Sequence, residues 1–223
     1  MVQSEYIYLH GFASSPQSQK AQYLRECFQS LQMNLKIPDL NQGDFFGLTL
    51  TRQVQFLQAD YLNSHNEVDI DKKASQHITL IGSSFGGLTS TILAQRNLEV
   101  KRLVLLAPAF QFPVHLSNLL GAEKMQQWQT DRSLLFPHYG QKCTVPLHYN
   151  FWTDLVQYED ETFFREVPTL ILHGSDDNVI PITSSQEFAS QRPWVELRKL
   201  ESDHSLGNVM REIWQTLQEF CQI

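Results

Sequence analysis

His77-Ile78-Thr79-Leu80-Ile81-Gly82-Ser83-Ser84-Phe85-Gly86-Gly87 carries the sharpest signal in the chain. Its first half, HITLI, is a short apolar, β-branched run, which is a strand signature. Its second half holds three glycines and two serines, and a small-residue helical stretch to about Gln95 follows. Gly82, Ser84 and Gly86 match the pattern G-x-S-x-G. The requirement behind that spacing is steric. A chain passing from strand to helix so quickly must turn sharply, which strains the middle residue. Glycines two places before and after it leave room for neighbouring backbone. The Ser84 hydroxyl would then stand clear at the C-terminal edge of a sheet. Behind it, a helix N-terminus offers unpaired N–H groups and a positive dipole end to a developing anion. Two other glycine-rich loops are excluded. A phosphate-binding loop needs Lys-Ser/Thr after its last glycine, where Leu88 follows Gly87, and a dinucleotide fingerprint needs glycine where Ser84 stands.

Outward from this turn, short apolar runs alternate with helical periodicity. Strands are expected at 6–10 (YIYLH), 35–37, 77–81, 103–107 (LVLLA), 169–173 (TLILH) and 195–200. Helical faces are formed by Tyr23, Cys27, Phe28 and Leu31, by Val54, Leu57 and Tyr61, and by Val209, Ile213, Leu217 and Phe220. Strands separated by helices imply βαβ units and a mostly parallel sheet. LVLLA is apolar throughout, as a strand covered on both faces must be. Between Pro108 and Glu166 no clean strand is visible, yet eleven of the 25 aromatic residues gather there. So long an insertion exceeds a plain loop, and a helical cap over one end of the sheet is expected.

Composition limits the function classes. Hydrophobic residues make up 42% and charged residues 18% of 223, with a net charge of −7. A folded core is expected, and the acidic balance argues against nucleic acid as a partner. The apolar runs are too short to span a bilayer. No signal peptide is visible at the N-terminus, so a cytoplasmic protein is expected. Cys27, Cys143 and Cys221 are odd in number and far apart, which suggests neither a disulfide framework nor a zinc site. They are read as thiols in or near the core.

A serine is a weak nucleophile without a base and a group to orient that base. Both are available in order along the chain. Gly174-Ser175-Asp176-Asp177-Asn178-Val179-Ile180-Pro181 follows the TLILH strand, which sets a carboxylate at the same sheet edge as Ser84. Of the two aspartates, Asp177, four residues before Pro181, is taken as the one facing the site. Ser202-Asp203-His204 follows the last strand and places His204 before the closing helix. The order Ser…Asp…His is the one that accompanies this elbow. The backbone N–H groups of Phe12 and Phe85 are the candidate oxyanion donors, with Gly11 permitting the turn after the first strand. His10 and His173 each close a strand and are read as structural. With strands ordered 2-1-3-4-5-6, a crevice opens between strands 1 and 3, where Phe12 and Ser84 would face each other.

YLHGF, GSSFGG, LHGSDDNVIP and SDH, in this order, resemble the α/β-hydrolases over nearly the whole chain. YLHGFASSPQSQKAQYL resembles, more narrowly, the start of the small bacterial YqiA-like esterases. The resemblance implies one α/β-hydrolase domain over 1–223, with six mostly parallel strands flanked by helices. The cap is inserted at 108–166, after the fourth strand. The two strands that open the sheet of larger relatives are not expected here, since the first strand begins about five residues in. The implied roles are Ser84 nucleophile, Asp177 acid, His204 base, and Phe12 with Phe85 as oxyanion donors. The activity expected is hydrolysis of small, fairly apolar carboxylic esters without metal or cofactor. A thioesterase or amidase with the same residues, or a silent binding module, stays open. Neither the natural substrate nor the oligomeric state follows from the residues.

Overall fold

The computed structural model describes residues 3–62, 76–158 and 163–223. A six-stranded sheet runs through it. Its strands are β1 (Gln3–Leu9), β2 (Leu35–Lys36), β3 (Gln76–Ser83), β4 (Val100–Leu106), β7 (Thr169–Gly174) and β8 (Val195–Leu200). Their spatial order is β2-β1-β3-β4-β7-β8 and every pairing is parallel. Counted within this sheet alone, that is the expected 2-1-3-4-5-6. The order reverses between β1 and β3, so the loops leaving their C-terminal ends diverge around a crevice.

Strand alternation assigns each residue to a face. Tyr6, Tyr8, Ile81, Val104 and Leu106 pack on α1 (Gln19–Ser30) and α7 (Met210–Cys221) through Leu24, Phe28, Ile213 and Leu217. Ile7, Leu9, Leu80, Leu105 and Ile171 face the other way. There they meet α2 (Leu50–Leu57) and α3 (Phe85–Arg96), and Phe188 of α6 (Ile182–Ser190) joins them. Local chemistry sets the helix starts. The Ser18 and Thr49 hydroxyls accept the N–H groups of Ala21 and Arg52, satisfying donors that a first turn leaves open. The α2 helix then widens into a π-turn over Gln58–Leu62.

The α3 helix is buried over most of its length. Its three hydroxyl residues do not leave unpaired groups inside. Thr89, Ser90 and Thr91 each donate back to the carbonyl four residues earlier, at 3.0, 2.7 and 3.0 Å. At its far end the Arg165 guanidinium takes the carbonyls of Ala94, Asn97 and Leu98.

The insertion after β4 differs from the all-helical expectation. It contains α4 (Phe112–Asp131), β5 (Ser133–His138), β6 (Cys143–His148) and α5 (Asn150–Leu155). Its residues 159–162 lie outside the described residues. α4 is kinked at Gly121, whose φ is +74°. β5 and β6 form an antiparallel hairpin. Pro137 and Pro146 hid these strands from the sequence pattern, since proline argues against a strand interior. In a two-stranded hairpin every other N–H points outward. Pro137 and Pro146 pair with Thr144 and Leu135, two rungs of the same kind, so neither removes a ladder bond. Cys143 is exposed on this hairpin rather than in the core, whereas Cys221 is buried.

Trp128 anchors the insertion. It is fully buried among Phe136, Tyr149 and Phe151, and its indole N–H donates to the Leu147 carbonyl at 2.9 Å. Trp128→Ala is expected to cost ~3–5 kcal/mol. A lowered Tm with early loss of amide protection over residues 133–148 checks this.

Candidate active site

Ser84 sits between β3 and α3 with φ 52° and ψ −118°. This is a left-handed backbone for a residue with a Cβ, a strain of order 1–3 kcal/mol. Neighbouring strands hold it there. The Ser84 N–H donates to the Leu106 carbonyl, and the Ser84 carbonyl accepts from Gly87 and Ala109. Glycine is required on both sides by close approach. A Cβ at Gly86 would fall on the Leu9 and His10 carbonyls, and one at Gly82 on the Gly86 carbonyl and Ser90 Oγ. Ser84 occupies the N-cap position, but its hydroxyl makes no capping bond. It points instead at His204, with Oγ 3.0 Å from Nε2.

His204 lies on the loop after β8, and its imidazole is partly exposed. Its Nδ1 donates to Asp177 Oδ2 at 2.7 Å. Asp177, on the loop after β7, has a fully buried carboxylate. Asp176 is exposed and its N–H only ties this loop to the Ser202 carbonyl. Asp203 closes the turn, accepting the Ser205 N–H and hydroxyl. The two loops touch where Gly174 meets the Ser202 and Asp203 carbonyls, with no space for a Cβ.

Burial alone would raise the Asp177 carboxyl. Hydrogen bonds from His173 and His204, the His204 charge and the Ile180 N–H overcome it and hold the group well below the usual carboxylate range. A carboxyl depressed on folding contributes stability above its unfolded value near ~4. That contribution is lost as pH falls through the folded value. Between neutral pH and about pH 3, wild type is expected to lose on the order of 1 kcal/mol more than Asp177→Asn does. Urea unfolding of both proteins across this range checks it.

Gly11 lies against the elbow, and a Cβ there would sit 3.9 Å from Ser84 Oγ. The left-handed residue of this turn is Ala13, at φ 52°, rather than Gly11. What Gly11 provides is nearness to the serine. The next N–H, that of Phe12, makes no hydrogen bond among the described residues, and neither does that of Phe85. His10 holds the loop from below. Its Nδ1 donates to the Gly11 carbonyl and its Nε2 accepts the Leu40 N–H, both at 3.0 Å. The Phe12 ring lies 5.1–6.1 Å from the rings of Phe45, Phe85, Phe112, Phe136 and Phe151. Aromatic side chains of the insertion thus meet those of the loops after β1 and β2 and of the start of α3.

Lys20 was not singled out from the sequence. Its ammonium donates to the Ser205 carbonyl at 2.9 Å, next to His204. Burial pushes it down to about 8, against the pull of Asp177 and Asp203. Its only sequence signal is its place in YLHGFASSPQSQKAQYL. Among the described residues, no group of His, Cys, Asp and Glu is arranged to hold a metal ion. No helix among them is long and apolar enough to cross a membrane.

The parallel sheet, the strained turn after β3 and the loops after β7 and β8 define the α/β-hydrolase fold. Solved structures share it. Alpha/beta hydrolase domain-containing protein 10 from mouse superposes with a TM-score of 0.79 at 19% identity, over 100% of this chain and 90% of that one. Est1E from Butyrivibrio proteoclasticus, solved with ferulic acid bound, gives 0.78 at 22% identity, over 99% and 88%. An esterase from Pyrococcus furiosus gives 0.62 at 17%, over 98% and 81%. Within this superfamily the chain belongs to the Uncharacterised protein family (UPF0227), whose model matches residues 5–221. Comparison with curated proteins returns no significant match.

Proposed function

We propose that this protein is a serine hydrolase that cleaves carboxylic esters of small, fairly apolar substrates. The observation that carries the reading is the unbroken hydrogen-bonded chain from Ser84 Oγ through His204 to a buried, ionised Asp177. The unpaired N–H groups of Phe12 and Phe85 beside that hydroxyl support it. So does the occurrence of esterases among the structures with this fold.

Ser84 Oγ attacks the ester carbonyl while His204 Nε2 takes its proton. The Phe12 and Phe85 N–H groups stabilise the tetrahedral oxyanion, and such a donor is worth ~2.7–4 kcal/mol. Asp177 keeps the imidazole in the tautomer with Nδ1 protonated and stabilises its cation. Collapse expels the alcohol, which takes the proton from His204. Water then attacks the acyl-Ser84 carbonyl while His204 accepts its proton; collapse breaks the acyl–Oγ bond, Ser84 Oγ takes that proton back from His204, and the acid leaves. In this reading the chain is one domain, and residues 108–166 form a cap whose phenylalanines line the acyl side.

Matched ester, thioester and amide substrates, compared by kcat/KM, test the bond cleaved. The ester is expected to be fastest, and preference for the thioester or amide overturns the ester assignment. The profile of kcat/KM should fall on the acid side as His204 gains a proton. A flat profile down to about pH 4 removes His204 as the base.

A further inference from the structure

We propose that His173 is a positioning residue of this site, donating a second imidazole N–H to the carboxylate that orients His204, in a tautomer enforced by Ser185. The inference rests on the reading of Ser84, His204 and Asp177 as one catalytic unit.

His173 is on β7 and has no exposed surface. Its Nε2 lies 3.1 Å from Asp177 Oδ2 and 2.9 Å from the Ile180 carbonyl. Two acceptors converge on this nitrogen, so it must carry the hydrogen. A bare lone pair facing these two oxygens inside the protein would repel both and bond to neither. The neutral ring then presents Nδ1 as an acceptor, and Ser185 Oγ, itself buried on α6, lies 2.8 Å away to donate. Packing alone does not call for such an arrangement. An apolar residue would fill this place in β7 without three buried polar partners to satisfy.

The effect falls on Asp177. Oδ1 accepts the Val179 and Ile180 N–H groups at 2.9 and 2.8 Å. Oδ2 accepts from His204 at 2.7 Å and from His173 at 3.1 Å. Four donors thus fix the carboxylate plane, and with it the direction of the His204 ring toward Ser84. His173 also draws off part of the negative charge that His204 feels. The other titratable groups around the pair are Asp203 on the His204 loop, Lys20 from α1 and His115 from α4.

Three full-length variants test this. His173→Met keeps the volume and removes the donor. His173→Gln returns an amide N–H, and Ser185→Ala frees the tautomer. The readouts are the NMR titration of the His204 ring and the second-order rate of labelling by a fluorophosphonate. The split of kcat and KM on an ester is the third. In His173→Met, the His204 titration and the acid limb are expected to move up by roughly half a pH unit. Labelling near neutral pH should slow on the order of 10- to 100-fold, with kcat falling and KM held. His173→Gln should recover most of the rate, and Ser185→Ala should shift the titration the same way by less. A folded His173→Met with unchanged titration and labelling overturns the proposal. If that variant does not fold, an unmoved titration in folded Ser185→Ala overturns it instead. Absence of any adduct or turnover in wild type is a separate failure, that of the hydrolase reading. The His204 titration needs no substrate and still decides the role of His173.

Discussion

Ser84→Ala is expected to abolish labelling by a fluorophosphonate and to lower kcat/KM for ester hydrolysis by roughly 10⁴- to 10⁶-fold. Wild type should gain one adduct by intact mass and the variant none. The size of the effect follows from the unit these residues form. Without the hydroxyl, His204 has no proton to take, and the N–H groups of Phe12 and Phe85 act only on water attack. The fold should survive. Alanine meets the same strain at φ 52° as serine does, and the lost bond to His204 is partly exposed. Ser84→Gly should be equally inactive, yet more stable than Ser84→Ala by about 1 kcal/mol, because glycine carries no Cβ into the left-handed region. The pair separates chemistry from strain. A Ser84→Ala protein that still labels or still turns over would move the nucleophile elsewhere.

Gly86→Ala is expected to cost more than about 3 kcal/mol, or to prevent folding, although one methyl group is added. That methyl would overlap the Leu9 and His10 carbonyls, and backbone cannot move aside as a flexible side chain does. α3 would have to back away from β1. The Phe12 N–H rides on the loop after β1 and the Phe85 N–H on the first turn of α3. Any relaxation therefore parts the two donors, and folded Gly86→Ala should also label slowly. Gly43→Ala is the contrast. Gly43 has a left-handed φ of 70° but nothing within 4 Å of a Cβ, so only the conformational cost of about 1 kcal/mol applies. Urea unfolding of the two variants checks the difference. Equal costs would show that α3 does not need so close an approach.

The parallel sheet was legible in the residues because its cause is local. A strand covered on both faces must be apolar throughout, and LVLLA and TLILH are. The elbow was legible for the same reason, since its steric demand falls on Gly82 and Gly86 within five residues. The order of the four motifs pointed to Ser84, Asp177 and His204. Which residues meet at hydrogen-bonding distance was decided only by the tertiary structure, because β3, β7 and β8 are gathered into one sheet, with β4 between β3 and β7, across some 120 residues. It buried the Asp177 carboxylate against His204, left Asp176 exposed, and gave the left-handed turn to Ala13 rather than Gly11. It also revealed a hairpin that two prolines had masked. His173, Ser185 and Lys20 join the site through contacts with no periodicity or spacing to announce them. Local sterics and burial can be read from a sequence, whereas a hydrogen bond between distant loops exists only once the sheet has brought them together.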